Sequence, residues 1–145
     1  MHARKLFAMG AVLLMSASLV MAQQAGKTQI KHVTVKATNA ASGQEMFASY
    51  CAVCHGPNAT GNGPAQSALK IPATDLTTLA EKNGGKYPAL HVSSVLRGDA
   101  ELAAHGSKDM PVWGPLFRTL SQGHESEVQQ RIANINAYIE SLQKK

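Results

Sequence analysis

Two cysteines and a histidine stand together at Cys51-Ala52-Val53-Cys54-His55, and these are the only two cysteines among 145 residues. Thiols three residues apart share one side of a helical turn, so both can form thioethers to the two vinyl groups of one haem. The adjacent His55 then meets the iron from that same side. C-x-x-C-H is the attachment signature for c-type haem. Covalent attachment lets a small domain keep a large apolar cofactor that it cannot wholly enclose, and it consumes both thiols. Aromatic residues make up 5% of the chain. A core of those rings and the available aliphatics is thin, and one haem helps to fill it. Other uses of the pair fit less well. A disulfide between Cys51 and Cys54 would close a very tight loop. A thioredoxin-like pair needs a preceding strand and a mixed sheet, and neither is legible. Zinc needs further ligands at set spacings, whereas the remaining histidines are scattered.

A low-spin electron-transfer haem also needs a sixth iron ligand, far enough downstream for the chain to wrap to the other face. Met110, in Lys108-Asp109-Met110-Pro111-Val112-Trp113-Gly114, is the leading candidate. Pro111 biases Met110 toward extended backbone, which suits a loop that presents one side chain. A Met thioether also raises the reduction potential relative to a second His. His105 and His91 are the competing ligands. Met46 reads as packing, and His32 and His124 as surface residues. Candidate partners for the haem carboxylates are Trp113 through its indole N–H, Arg97, Tyr87 and Lys70. Trp113, three residues from Met110, is the strongest of them; its alternative role is to wall the haem pocket.

These side chains need helices and ordered loops to position them. Ser42 is a good N-cap, with Glu45 three residues on to complete a capping box. The helix it opens carries Gly43, Phe47, Tyr50 and Cys51 on roughly one face. Residues 56–72 hold Gly56, Pro57, Gly61, Gly63, Pro64 and Pro72 and read as an ordered loop. Asp75 caps a short helix running through Ala80, closed by Gly84 and Gly85. Pro88 at a first helical position opens another, with Val92, Val95 and Leu96 on one side and Gly98 just past its end. Residues 99–104 read as one more turn, 106–114 as loop, and 115–120 as a short helical turn. The last helix is the clearest: Val128, Ile132, Ile135, Ile139 and Leu142 recur at steps of 4, 3, 4 and 3. Glu125 and Glu127 stand at its positive end, Lys144 and Lys145 at its negative end. The mixed sign of its polar face argues against a membrane-surface helix. The expected fold class is all-α.

The length suits one domain. Residues 1–22 read as a secretory signal peptide: basic Arg4 and Lys5, an apolar run over 6–20, and a small residue at Ala22 for cleavage. A retained anchor is the alternative; after cleavage no permanent membrane span is expected. Residues 23–40 read as a flexible leader in which Ile30, Val33 and Val35 are the only strand candidates, and 41–145 as the domain. An exported signal places the domain in the periplasm. Losing Arg4 and Lys5 lowers the formal charge from +5 to +3. No basic stripe with interleaved aromatics is present, so nucleic acid is not an expected ligand.

The chain from about residue 41 to residue 142 resembles a class I cytochrome c of the small bacterial periplasmic kind. Three motifs carry the resemblance in order: Gly43-Gln44-Glu45-Met46-Phe47 leading into the C-x-x-C-H, then Met110-Pro111 followed by Trp113-Gly114, then Ile135-Asn136-Ala137-Tyr138-Ile139. The resemblance implies N- and C-terminal helices that cross, with Gly43 and Phe47 meeting Tyr138, and loops wrapped around one covalent haem c. It makes His55 the proximal and Met110 the distal iron ligand. It also makes the Pro64 carbonyl, in the pair Gly63-Pro64, the acceptor for the His55 ring. The function implied is one-electron transfer between periplasmic redox partners, by a carrier that is not an enzyme. A subunit of a larger dehydrogenase or oxidase complex is the alternative. A haem enzyme or sensor with a labile sixth ligand is a third reading.

Overall fold

Ser42 opens the first helix as its cap predicts: its Oγ accepts the Glu45 N–H at 3.1 Å. The reciprocal half of the capping box differs. Glu45 Oε2 accepts from Asn39 N–H at 3.4 Å, because Ser42 N–H is already spent on the Asn39 carbonyl at 3.1 Å. The computed structural model describes residues 35–99 and 110–144, all within one unit, Val35–Lys145. The expected signal peptide, most of the leader, His32, His105 and most of the turn at 99–104 lie outside the described residues.

The first helix is α1, Gly43–Met46. It passes through a π-helical turn, Phe47–Cys51, into α2, Ala52–His55. The wide turn admits an extra residue without ending the helix, and Phe47, Tyr50 and Cys51 are all buried. A 3-10 turn, Gln66–Ala68, interrupts the expected loop. A second 3-10 turn, Leu76–Thr78, leads into α3, Leu79–Lys82. Asp75 caps this stretch by accepting Thr77 N–H at 2.9 Å. Helix α4 is Ala89–Arg97, with Pro88 as its N-cap rather than its first helical residue, and Gly98 ends it at φ +85°. Helix α5 is Trp113–Leu120, two residues longer at its start than the sequence suggests. Gly114 permits this, since a Cβ there would lie 2.5 Å from the Arg97 carbonyl oxygen. Helix α6 is Glu125–Ser141.

The described residues are all-α and contain no β-strand. Helix α6 packs against α1, α4 and α5. Its stripe of Val128, Ile132, Ile135 and Ile139 is buried as the periodicity predicts. Gly43 lies where α1 meets α6, and a Cβ there would overlap the Asn134 carbonyl oxygen. Phe47 and Tyr138 pack with ring centroids 5.4 Å apart.

Two buried polar residues on α6 were not legible as core: Arg131, 5% exposed, and Asn136, 8% exposed. Arg131 reaches back to residues upstream of α1. Its Nη1 donates to the Thr38 carbonyl at 3.1 Å and to Thr38 Oγ1 at 3.2 Å. Its Nε donates to Ser121 Oγ at 3.2 Å, and its Nη2 to Glu127 at 2.7 Å. Thr38 Oγ1 also shares a 2.8 Å hydrogen bond with Tyr50 Oη, which donates to the Lys36 carbonyl at 2.6 Å. The end of the expected leader is therefore tied down in this structure, and Thr38 is buried. Arg131→Met keeps the stem packing but removes these donors. It is expected to destabilise the protein by about 2–4 kcal/mol, read by denaturant unfolding of the full chain.

Candidate haem site

Helix α2 ends at His55, where Gly56 turns the chain away at φ +79°. The last turn of a helix leaves carbonyls without partners, and the following loop returns to satisfy them. Gly61 N–H donates to the His55 carbonyl at 2.8 Å, Gly63 N–H to Cys54 at 3.0 Å, and Ala65 N–H to Val53 at 2.9 Å. Gly63 lies against this backbone: a Cβ there would be 2.6 Å from the Cys54 carbonyl carbon. The chain then runs back past the motif. Gly61 packs on the Ala73 carbonyl, and Leu76 N–H donates to the Ala59 carbonyl at 2.8 Å.

This return places the Thr74 carbonyl oxygen 2.9 Å from His55 Nδ1. With Nδ1 protonated the ring donates there, which fixes its plane and makes Nε2 the ring's acceptor nitrogen. Thr74, not Pro64, is thus the carbonyl facing the ring. Pro64 is exposed, in the turn that leads from Gly63 to Gln66–Ala68, because Gly63 is spent on capping Cys54. A backbone acceptor 19 residues from His55 has no side-chain signature, so sequence reasoning had no means to find it.

Cys51 is buried and Cys54 half-buried, and both are free thiols. Burial, with the neighbouring Cys54 adding to it, pushes the Cys51 thiol up to about 12. A redox-active or nucleophilic thiol needs a depressed pKa, and burial moves Cys51 the other way. Two unpaired thiols one turn apart, beside a buried imidazole held through Nδ1, fit the porphyrin and its iron.

The other candidates divide. Met110 is half-buried and packs against the core. Trp113 is 8% exposed, with its ring 5.6 Å from Tyr50 and 5.9 Å from Phe117. Its Nε1 is buried with no hydrogen-bond partner among the described residues. Such an orphan costs about 1–3 kcal/mol, and an indole donor without an acceptor suits a carboxylate of the cofactor. Tyr87 is committed elsewhere, donating to Asn136 Oδ1 at 2.6 Å. Arg97 pairs with Asp99 at 2.8 Å. Lys70 and His91 are exposed. His124 occupies the N-cap position of α6 without a side-chain capping bond, and its Nδ1 lies 2.8 Å from the Ser121 carbonyl oxygen.

The sequence matches the family of cytochrome c oxidase, cbb3-type, subunit III, over residues 38–123. The chain belongs to that family. No curated protein and no solved structure matches it. The match corrects the resemblance to a small periplasmic class I cytochrome c: over 38–123, a span that holds the C-x-x-C-H and the Met-Pro pair, the sequence goes with the oxidase subunit. This cbb3-type subunit III relative is a cytochrome c-type subunit with a covalent haem c site at Cys51, Cys54 and His55. No helix among its described residues is long and apolar enough to cross a membrane.

Proposed function

We propose that this cbb3-type subunit III relative relays single electrons through one covalent haem c as part of an oxidase complex. The observation that carries the reading is the family match over 38–123, a span that holds the C-x-x-C-H at the end of α2. Haem iron, when bound, supplies the ferric/ferrous couple. Cys51 and Cys54 anchor the porphyrin, and His55 supplies Nε2 while Thr74 holds its other nitrogen. Met110 would supply the iron with a thioether, which would raise its potential. Trp113 Nε1 would donate to a haem carboxylate. Pro64 has no contact role with His55 in this reading. Val53, within the motif, and Val112, two residues from Met110, are both about half exposed. They offer apolar surface for a brief redox contact. Residues 1–22 export the chain, residues 23–40 lead into the domain, and the haem works in the periplasm.

The test is isolation of the full chain, tagged at its C-terminus, from membranes of its own host. The tagged chain is expected to co-isolate with an oxygen-consuming complex, and its reduced haem to reoxidise when oxygen is admitted. A haem-bearing chain that leaves the complex behind, and stays reduced in oxygen, contradicts the assignment.

A further inference from the structure

The segment that follows Thr74 is held from two sides. One is the loop already described. The other is the tail that leaves α6. Gln143 Oε1 accepts Ala80 N–H at 2.9 Å, and its Nε2 donates to the Leu76 carbonyl at 2.7 Å and the Ile139 carbonyl at 2.9 Å. Lys144 N–H donates to the Thr77 carbonyl at 2.9 Å. One amide side chain therefore bolts the last turn of α6 onto both ends of the segment that begins two residues after Thr74. Every group on the Gln143 amide that these bonds use is directional, so the segment has one register against α6.

We propose that Gln143 is a positioning residue for His55, acting through the 76–80 segment and the Thr74 carbonyl to set the reduction potential of the haem iron. The inference rests on the haem reading above. A firm Nδ1–H···O=C bond makes the imidazole a stronger donor and favours ferric iron. Loosening the segment weakens that bond and favours ferrous iron.

The experiment compares the potentials of holo full-length wild type, Gln143→Ala, Gln143→Glu and Asn136→Ala by redox titration, with amide hydrogen exchange over 76–80 measured alongside. Asn136 is a matched control: it is buried, and its side chain bonds Tyr87, Ala89 and Ser93 at 2.6, 2.8 and 2.7 Å, with no hydrogen bond to the 76–80 segment. Gln143→Glu keeps the acceptor for Ala80 N–H and loses both donors, so it serves if the alanine variant does not fold. Both Gln143 variants are expected to raise the ferrous-to-ferric ratio roughly threefold at the wild-type midpoint, with faster exchange over 76–80. Asn136→Ala is expected to lose stability with its potential unchanged. Unchanged potentials in the Gln143 variants overturn the proposal, and so does an equal shift in Asn136→Ala, which would be general loosening. Wild type without a haem c spectrum overturns the underlying haem reading instead.

Discussion

A Cys51→Ala/Cys54→Ala double variant, made in a host that attaches haem, is expected to retain no haem after denaturation. Each thiol forms one thioether, and no other cysteine exists in the chain to replace it. The loss should be complete, because the other holds proposed for the haem, the His55 imidazole, the Met110 thioether and packing, all vanish when the chain unfolds. Acid–acetone extraction reads this directly: wild type keeps its colour in the protein pellet and the double variant gives it to the solvent. Folding should suffer as well. Cys51 is buried in the core beside Tyr50 and Phe47, and the haem fills space that a chain with 5% aromatic residues cannot fill alone. Single variants should show partial retention through the surviving thioether. Haem that stays with the denatured double variant would contradict the assignment of both thiols.

Met110→Ala carries the second large effect. With the thioether as distal ligand, the ferric protein has a weak long-wavelength band from sulfur-to-iron ligation. The variant is expected to lose that band and to drop in midpoint potential by on the order of 100 mV or more, since axial-ligand identity is the strongest control on haem potential. Covalent haem should remain, because Cys51 and Cys54 are untouched. The same variant separates the competing ligands. If the band and the potential are unchanged, the iron takes its sixth ligand elsewhere. His105 is then the first alternative, five residues before Met110, and an open site the second.

Much of the scaffold was legible because it is written in side chains. The stripe from Val128 to Ile139 follows from helical spacing, and the Ser42 cap, the Asp75 cap and the stop at Gly98 follow from local chemistry. Gly43 and Phe47 against Tyr138 came with the resemblance, and a glycine suits the close approach of two helices. What escaped lies in the backbone or in long-range pairing. The π-helical turn before Cys51 has no residue signature. Thr74 acts through its carbonyl, and the proline after a glycine at 63–64 drew attention to the wrong acceptor. Arg131 falls on the inner face of α6, where a cation reads as solvated, and only its distant partner Thr38 explains its burial. Trp113 was named for its indole, and the structure adds that this N–H is buried without a partner. The resemblance to a free carrier failed for a different reason. The motifs on which it stood belong to the packing and ligation of a c-type haem domain, and those needs are the same whether the domain diffuses or is held in a complex.

The intact mass of the unfolded full-length protein, purified from a haem-attaching host, tests the central claim most directly. The account predicts a single species heavier than its polypeptide by one haem, with a ferrous spectrum of haem c before unfolding. A bare polypeptide mass, from cells that load a control cytochrome c in parallel, would contradict the assignment of Cys51, Cys54 and His55.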